Sequence, residues 1–491
     1  MINRRQAIKR IGGLAGLAAM PKMLSGCGDD GGSDTPGIKN YVYMMLENRT
    51  YDHVFGARKL QGLGGDGLTT GMALPDMNGT MIPIFEPSAN EMCVADPPHG
   101  WDPSHAQFNG GAMDGFIRQY QMAEPQAPAK QVMQYMTRTQ MPVSWALADE
   151  YTTCDRWFAS VMGPTLPNRA YWHAATSFGL KVNNEVLTQF SAPPVPTIYN
   201  KLHDKNVDWV YYSGPLAVAS LLGNPGPYML DLGPTDGTGH IRRFSAYADL
   251  PDDPNGQFFK DAKAGKLAPV TYIDPFFGEN DDHPPLHPIM AQALIAAVYN
   301  ALAQSPQWKH TMLVITYDEH GGFYDHVAPP KTTDTTEADF GVSGFDQMGF
   351  RVPAMVIGPY AKKNYVSSTV YDHTSALKHL TNVFGLESLN ARVDAANDLM
   401  DCIDMDRLMA GDPADPIDLP TIDLSQYAQY MTDPDCKGMA FRPLDPVSEW
   451  ADLNPGIMLD YRSPNERNAY HRGIMKALDE QQRNRALVKS R

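Results

Sequence analysis

Residues Thr311 to Pro330 read TMLVITYDEHGGFYDHVAPP. Met312 to Tyr317 is a run of apolar and β-branched residues without polar alternation, the pattern of a strand buried on both faces. It stops abruptly at Asp318-Glu319-His320, followed by Gly321-Gly322 and Asp325-His326. In an open α/β sheet the carboxyl ends of the strands face the ligand crevice. Two adjacent acids there repel each other, and a cation is the simplest partner that makes them tolerable. The paired glycines allow a sharp turn or a close backbone approach. The stretch therefore predicts the metal-binding edge of an active site.

Working outward, Lys39–Leu46 is a second strand-like run, ending in Glu47-Asn48-Arg49-Thr50-Tyr51-Asp52-His53. Val270–Asp274 and Val352–Ile357 repeat the pattern, and Trp209–Tyr212 is a further candidate strand. Between them lie helix-like segments: Pro288–Gln304, with Pro at its start and Ser305-Pro306 as a stop, and also Pro142–Phe158 and Thr374–Phe384. Strands alternating with helices predict an α/β fold with a mostly parallel sheet covered on both faces. The Gly/Pro/Asn-rich regions around 60–100 and 185–265 read as long loop insertions, where substrate selection resides. After about residue 400 the composition turns Asp/Pro-rich, and 401–491 reads as a C-terminal extension ending in a Lys/Arg-rich tail from Asn465.

The first 26 residues read as an address. Asn3-Arg4-Arg5-Gln6-Ala7-Ile8-Lys9 resembles a twin-arginine export signal, and Leu24-Ser25-Gly26-Cys27 a lipoprotein cleavage box, with Cys27 the acylated residue. Residues 27–37 then form a flexible tether, and 38–400 the catalytic domain. The expectation is a periplasmic or cell-surface lipoprotein that touches a membrane through its anchor. No stretch reaches the ~18–20 apolar residues of a spanning helix. The formal charge is −16; without residues 1–26, which hold five bases and no acids, 35 bases face 56 acids, a formal −21. Such a surface disfavours nucleic acid as a partner. Cys93, Cys154, Cys402 and Cys436 permit two disulfides, with three connectivities.

Taken singly, the remaining clusters leave alternatives open. Glu47-Asn48 supplies hard oxygen ligands for a divalent cation, or an Asx turn. Gly163-Pro164-Thr165-Leu166-Pro167-Asn168-Arg169 sets a hydroxyl in a rigid turn before an arginine that could fork onto phosphate, or is an ordinary Pro-rich turn. His99, in PPHGW, and His283 and His287, in DDHPPLH, stand in polar loops that suit either catalysis or simple hydrogen bonding.

Together, ENRTYDH, PPHGW…NGGAMDGF, GPTLPNR, NDDHPP, YDEHGGFYDHVAPP and YDHTS, in this order, resemble the bacterial phosphoesterase family of phospholipases C and acid phosphatases. The resemblance runs from about Ile38 to about Leu386. It implies an alkaline-phosphatase-like α/β/α sandwich. It also implies one divalent metal ion (calcium, magnesium, manganese or zinc) on Glu47, Asn48, Asp318 and Glu319, with Thr165 as nucleophile and further ligand. His99 and His283 match histidines that contact the phosphate or the leaving group; His240 is a weaker match. Arg169, His240 and His287 are the candidate substrate-binding residues. The family's Ser-Phe is Thr50-Tyr51 here. Asp325-His326 and Asp372-His373 match family motifs without an assigned role. The implied activity is phospholipase C-type hydrolysis of a phosphoester substrate, a phospholipid among the candidates, through a phosphothreonine. Acid phosphatase action on monoesters is the alternative, and a non-catalytic binding lipoprotein the third reading.

Overall fold

A computed structural model describes residues 37–183, 196–213, 218–221, 239–244, 256–278 and 280–423, together with 430 and 436. The export signal, Cys27, nearly all of the tether and the basic tail lie outside the described residues.

Eight strands form the main sheet: β1 (Asn40–Leu46), β2 (Thr152–Cys154), β3 (Trp209–Ser213), β4 (Ile241–Arg243), β5 (Val270–Ile273), β6 (Thr311–Tyr317), β7 (Ala354–Ile357) and β8 (Tyr365–Ser367). Their order across the sheet is β8-β2-β7-β6-β1-β5-β3-β4. Every neighbouring pair is parallel except those made by β7, which runs against both β6 and β2. All seven residues of β1 and all seven of β6 are buried, so both sheet faces are covered there.

The helices that matter to the site are α1 (Tyr51–Val54), α2 (Trp101–Phe108), α3 (Pro142–Glu150), α4 (Thr165–Ala174), α5 (Ile289–Ala303) and α6 (His373–Phe384). Alternate residues of a strand share a face, and on β1 Tyr41 meets His379 and Phe384 of α6 while Tyr43 meets Trp172 of α4. These two helices therefore cover one face. A second pair, α3 and α5, is joined by Gln292, whose side-chain oxygen accepts from the Val143 and Ser144 amides at 3.0 and 2.9 Å. Those amides belong to the first turn of α3, which has no partner within its own helix.

The predicted helix Pro142–Phe158 is too long. It ends at Glu150, and Thr152–Cys154 and Trp157–Phe158 are extended, because the alternation that continues past Tyr151 belongs to buried strand residues. Of the disulfides the sequence permits, Cys93–Cys436 is formed, while Cys154 and Cys402 are buried thiols 3.8 Å apart. The described start of the C-terminal extension lies on the main body: Trp308 Nε1 donates to Ala414 O at 2.9 Å and the Ile417 amide to Tyr299 Oη at 2.8 Å.

Candidate active site

β1 and β6 are neighbours in register, Leu46 beside Tyr317, so Glu47-Asn48 and Asp318-Glu319 leave the sheet side by side. The two turns are stitched together. The Asn48 amide donates to Asp318 Oδ1 at 3.1 Å, and the Arg49 amide to the Glu319 carbonyl at 3.1 Å. Asn48 adopts a left-handed conformation, φ 63°, which asparagine tolerates. Gly321 and Gly322 also have positive φ, and a Cβ on Gly321 would collide with the Asn48 carbonyl. On Gly322 it would lie 2.6 Å from Pro97 Cβ and 2.9 Å from Pro98 O. The paired glycines thus let the loop carrying His99 close onto the acidic pair.

His99 and His283 meet edge to face, ring centres 5.6 Å apart. The Nδ1–H of His99 donates to Pro97 O at 2.7 Å and that of His283 to Pro284 O at 2.6 Å. A carbonyl only accepts, so Nε2 is the nitrogen each ring has left for other chemistry. His99 Nε2 lies 3.7 Å from Glu319 Oε1 and 3.4 Å from Asn48 Nδ2. Burial works against a charge on His99, but Glu319 and Asp96 outweigh it and raise its pKa to about 9. Burial raises Asp318 to about 6 despite the nearby Arg169. Glu319 is held below its ordinary range, because His99 and His320 overcome the burial that would raise it.

Thr165 is the first residue of α4 and is 3% exposed. Asn168 fixes this turn: its Nδ2 donates to Gly163 O at 2.9 Å and its Oδ1 accepts from the Val161 amide at 3.0 Å. One turn on, Arg169 corrects the sequence reading. It is fully buried and does not face a substrate. Its guanidinium bonds Asp318 Oδ2 at 3.2 Å, Asp274 Oδ1 at 3.1 Å and the Met45 and Leu46 carbonyls at 3.2 Å, and lies 3.4 Å from Glu47 Oε1. A guanidinium so committed has no fork to offer phosphate. It is instead the cation bonded to the acidic cluster, and residues four apart on a helix share a face, so Thr165 lies on the same face of α4.

A family model described as the phosphoesterase family matches residues 38–387. The chain belongs to that family. Among its relatives, non-specific phospholipase C6 of Arabidopsis thaliana is 32% identical over 378 residues, covering 72% of this chain and 69% of that protein. Phospholipase C A of Mycobacterium tuberculosis is 31% identical over 393 residues, covering 71% and 73%. A solved protein of the alkaline phosphatase superfamily from Vibrio parahaemolyticus aligns at 12% identity, over 74% of this chain and 70% of that one, with a TM-score of 0.35. This phosphoesterase is a hydrolase of phosphoric ester bonds.

Two other candidate substrate residues of the phosphoesterase have ring partners of their own. His240 stacks on Trp209, ring centres 4.3 Å apart, and donates from Nδ1 to Trp209 O at 2.7 Å. Trp209 begins β3, so His240 sits at the amino end of the parallel strands, opposite the carboxyl-end crevice. His287 stacks on Tyr430 and accepts from the Ile289 amide at 3.2 Å, with its pKa lowered by burial to about 4. Its Nδ1 thus meets the first amide of α5.

Several functional partners were not singled out in the sequence. Asp274, read there only as the end of a strand-like run, is the second carboxylate on Arg169. His373 donates Nε2–H to the Asp318 carbonyl at 2.7 Å and accepts from Trp157 Nε1 at 3.4 Å, which fixes the ligand turn from behind. Arg49 pairs with Asp282 at 3.2 Å, both fully buried, tying the Glu47 turn to the His283 loop. Arg49 lies in ENRTYDH, Asp282 in NDDHPP and His373 in YDHTS, but none of these motifs discloses the partner.

Among the described residues, two groups could bring three ligand atoms together: Asp96, His99 and His283, and Asp52, Asp325 and His326. The second already holds a cation. Arg351 donates to Asp325 Oδ1 at 2.9 Å and Asp52 Oδ1 at 3.0 Å, and His326 bonds Asp52 Oδ2 at 2.6 Å. In the first, Asp96 approaches His99 on the Nδ1 side, at 3.6 Å, where the ring is already committed to Pro97.

Proposed function

We propose that this phosphoesterase is a metal-dependent phosphodiesterase of the phospholipase C type, acting through a phosphothreonine on Thr165. One observation carries the reading. Asn48 Oδ1 and Glu319 Oε1 are buried without a hydrogen-bond partner among the described residues, beside the Glu47 and Asp318 carboxyls. Buried oxygens without donors are costly unless something else satisfies them, and hard oxygens on adjoining turns fit a divalent cation. Glu47, Asn48, Asp318 and Glu319 would hold it, with the Thr165 hydroxyl as a further ligand; calcium, magnesium, manganese and zinc all suit this donor set to some degree. Bound there, such an ion lowers the pKa of a coordinated hydroxyl and offsets charge on phosphoryl oxygens.

The chain's own residues do the rest. Thr165 Oγ, once its proton has passed to solvent, attacks phosphorus as the bond to the leaving alkoxide breaks. An imidazolium at His99 or His283 gives its proton to the alkoxide. Water then attacks the phosphothreonine, the threonine–phosphorus bond breaks, and the phosphorylated head group departs. Relatives named as phospholipases C support the diester. The twin-arginine-like segment and Cys27 lead us to propose an exported lipoprotein, and the Cys93–Cys436 disulfide suits that oxidising setting.

The test compares p-nitrophenyl-phosphorylcholine with p-nitrophenyl phosphate, before and after chelation. Diester preference that is lost with the metal is expected; preference for the monoester would make the protein a phosphatase. Thr165→Ala should lower kcat/KM at least about a thousandfold while leaving the urea midpoint in place. A variant that keeps more than about a tenth of the activity sinks the nucleophile assignment.

A further inference from the structure

His99 and His283 stand on separate stretches of chain. Asn90 and Cys93 precede His99, and His287 follows His283 at the start of α5. A tight turn joins the last two, closed by the Leu286 amide on the His283 carbonyl at 2.9 Å. Residues of the C-terminal extension hold both stretches. The Tyr430 ring stacks on His287, ring centres 4.6 Å apart and 24° from parallel. Its hydroxyl donates to Asn90 Oδ1 at 3.1 Å. Six residues on, Cys436 is bonded to Cys93, 343 positions away in the chain. One ring and one covalent bond therefore join the His99 stretch to the His283 stretch. His287 is 6% exposed whereas Asn90 is exposed, so the stack and the disulfide carry the restraint and the hydroxyl adds little.

On its other side the His283 stretch is held by Asp282, paired with Arg49 beside the ligand turn. We propose that Tyr430, tethered through the Cys93–Cys436 disulfide, is a positioning residue for the histidine pair, keeping His283 set against His99 for proton delivery to the leaving alkoxide. The inference rests on the diesterase reading above and goes further by naming the part of the C-terminal extension that the reaction needs. A general acid works only within hydrogen-bond reach of the atom it protonates, so a shift of about 1 Å costs much of its effect. That loss shows where the leaving group needs a proton. Phenolate needs it more than p-nitrophenolate, which leaves as a stable anion.

The experiment uses the full chain with its metal bound and measures kcat on p-nitrophenyl-phosphorylcholine and on phenyl-phosphorylcholine. Tyr430→Ala should lower kcat on the phenyl ester roughly tenfold or more, and on the nitrophenyl ester less than about threefold. Tyr430→Phe keeps the ring and should stay within about twofold of the wild type on both. The double variant Cys93→Ser, Cys436→Ser should repeat the Tyr430→Ala pattern; if it fails to fold, Tyr430→Ala alone decides. Equal losses on the two esters in Tyr430→Ala overturn the proposal, as does an unchanged rate on the phenyl ester or a Tyr430→Phe variant as slow as Tyr430→Ala. Hydrogen exchange read by mass spectrometry is the second measure. Tyr430→Ala should speed exchange in the peptides that contain His99 and His283 and leave the peptide that contains Asp318 as it was. Unaltered exchange around both histidines overturns the proposal. If the wild type hydrolyses neither ester, the diesterase reading falls, and the exchange measurement still decides whether Tyr430 holds the two stretches.

Discussion

Asp318-Glu319-His320 and Asp325-His326 follow the same strand seven residues apart, look alike in sequence, and their acids become buried. Their fates are opposite. In the second cluster Arg351 lies between Asp52 and Asp325 with its side chain fully buried, and His326 bonds Asp52. The charges are matched and the oxygens are used. In the first cluster Arg169 sits underneath, on Glu47, Asp274 and Asp318, and leaves Asn48 Oδ1 and Glu319 Oε1 without hydrogen-bond donors among the described residues. Acid-rich turns thus become sites or struts according to how many cations the fold itself supplies, and from which side.

The sharpest way to break the comparison is to neutralise one acid in each cluster. Glu319→Gln removes a ligand from the open cluster, and kcat/KM is expected to fall at least about a hundredfold together with metal content. Asp325→Asn should change kcat/KM of the folded protein by less than about threefold and leave metal content alone. Equal losses of metal in the two variants, read by elemental analysis, would dissolve the distinction.

The next effect in size concerns stability. Arg351→Gln strands the buried Asp52 and Asp325 carboxylates, and losing one partner of a buried ion pair costs about 3–5 kcal/mol. Urea unfolding should show that loss, and a change under about 1 kcal/mol would mean that water or a bound ion already shares the cluster.

The contrast between these clusters marks the limit of what the sequence discloses. The strand runs of β1, β5 and β6 are legible because burial on both faces removes polar residues altogether, and the acids at their ends stand out against that background. Thr50, noted there only against the family's Ser-Phe, caps α1 by accepting from the His53 amide at 3.0 Å. What the sequence conceals is partnership across long separations. Arg169 finds Asp318, 149 residues away, and Arg351 finds Asp52, 299 away. An arginine after a Pro-rich turn looks like a phosphate ligand until the acids it neutralises are known. His240 misleads for a related reason, because a histidine in a weakly patterned insertion carries no sign of which end of the sheet it joins.

The smallest effect separates the clusters by pH, through one histidine on each. His373, behind the open cluster, is buried and neutral, its pKa lowered to about 4 by desolvation. Its folded pKa lies below the ordinary value of about 6.5, so its stabilising contribution is present above that pH and is lost as pH falls toward 4, up to about 3 kcal/mol in all. His326, in the closed cluster, has the opposite sign. Burial opposes its charge, but the bond and the charge of Asp52 outweigh it and raise its pKa. Its contribution is complete below about pH 6.5 and is lost as pH climbs through the raised value. Urea midpoints measured across pH should therefore respond in mirror image: His373→Gln flattens the acid limb of the stability profile and leaves the alkaline limb, while His326→Gln does the reverse. If both variants flatten the same limb, the two clusters are not electrostatic opposites, and the division between open site and closed strut must be drawn elsewhere.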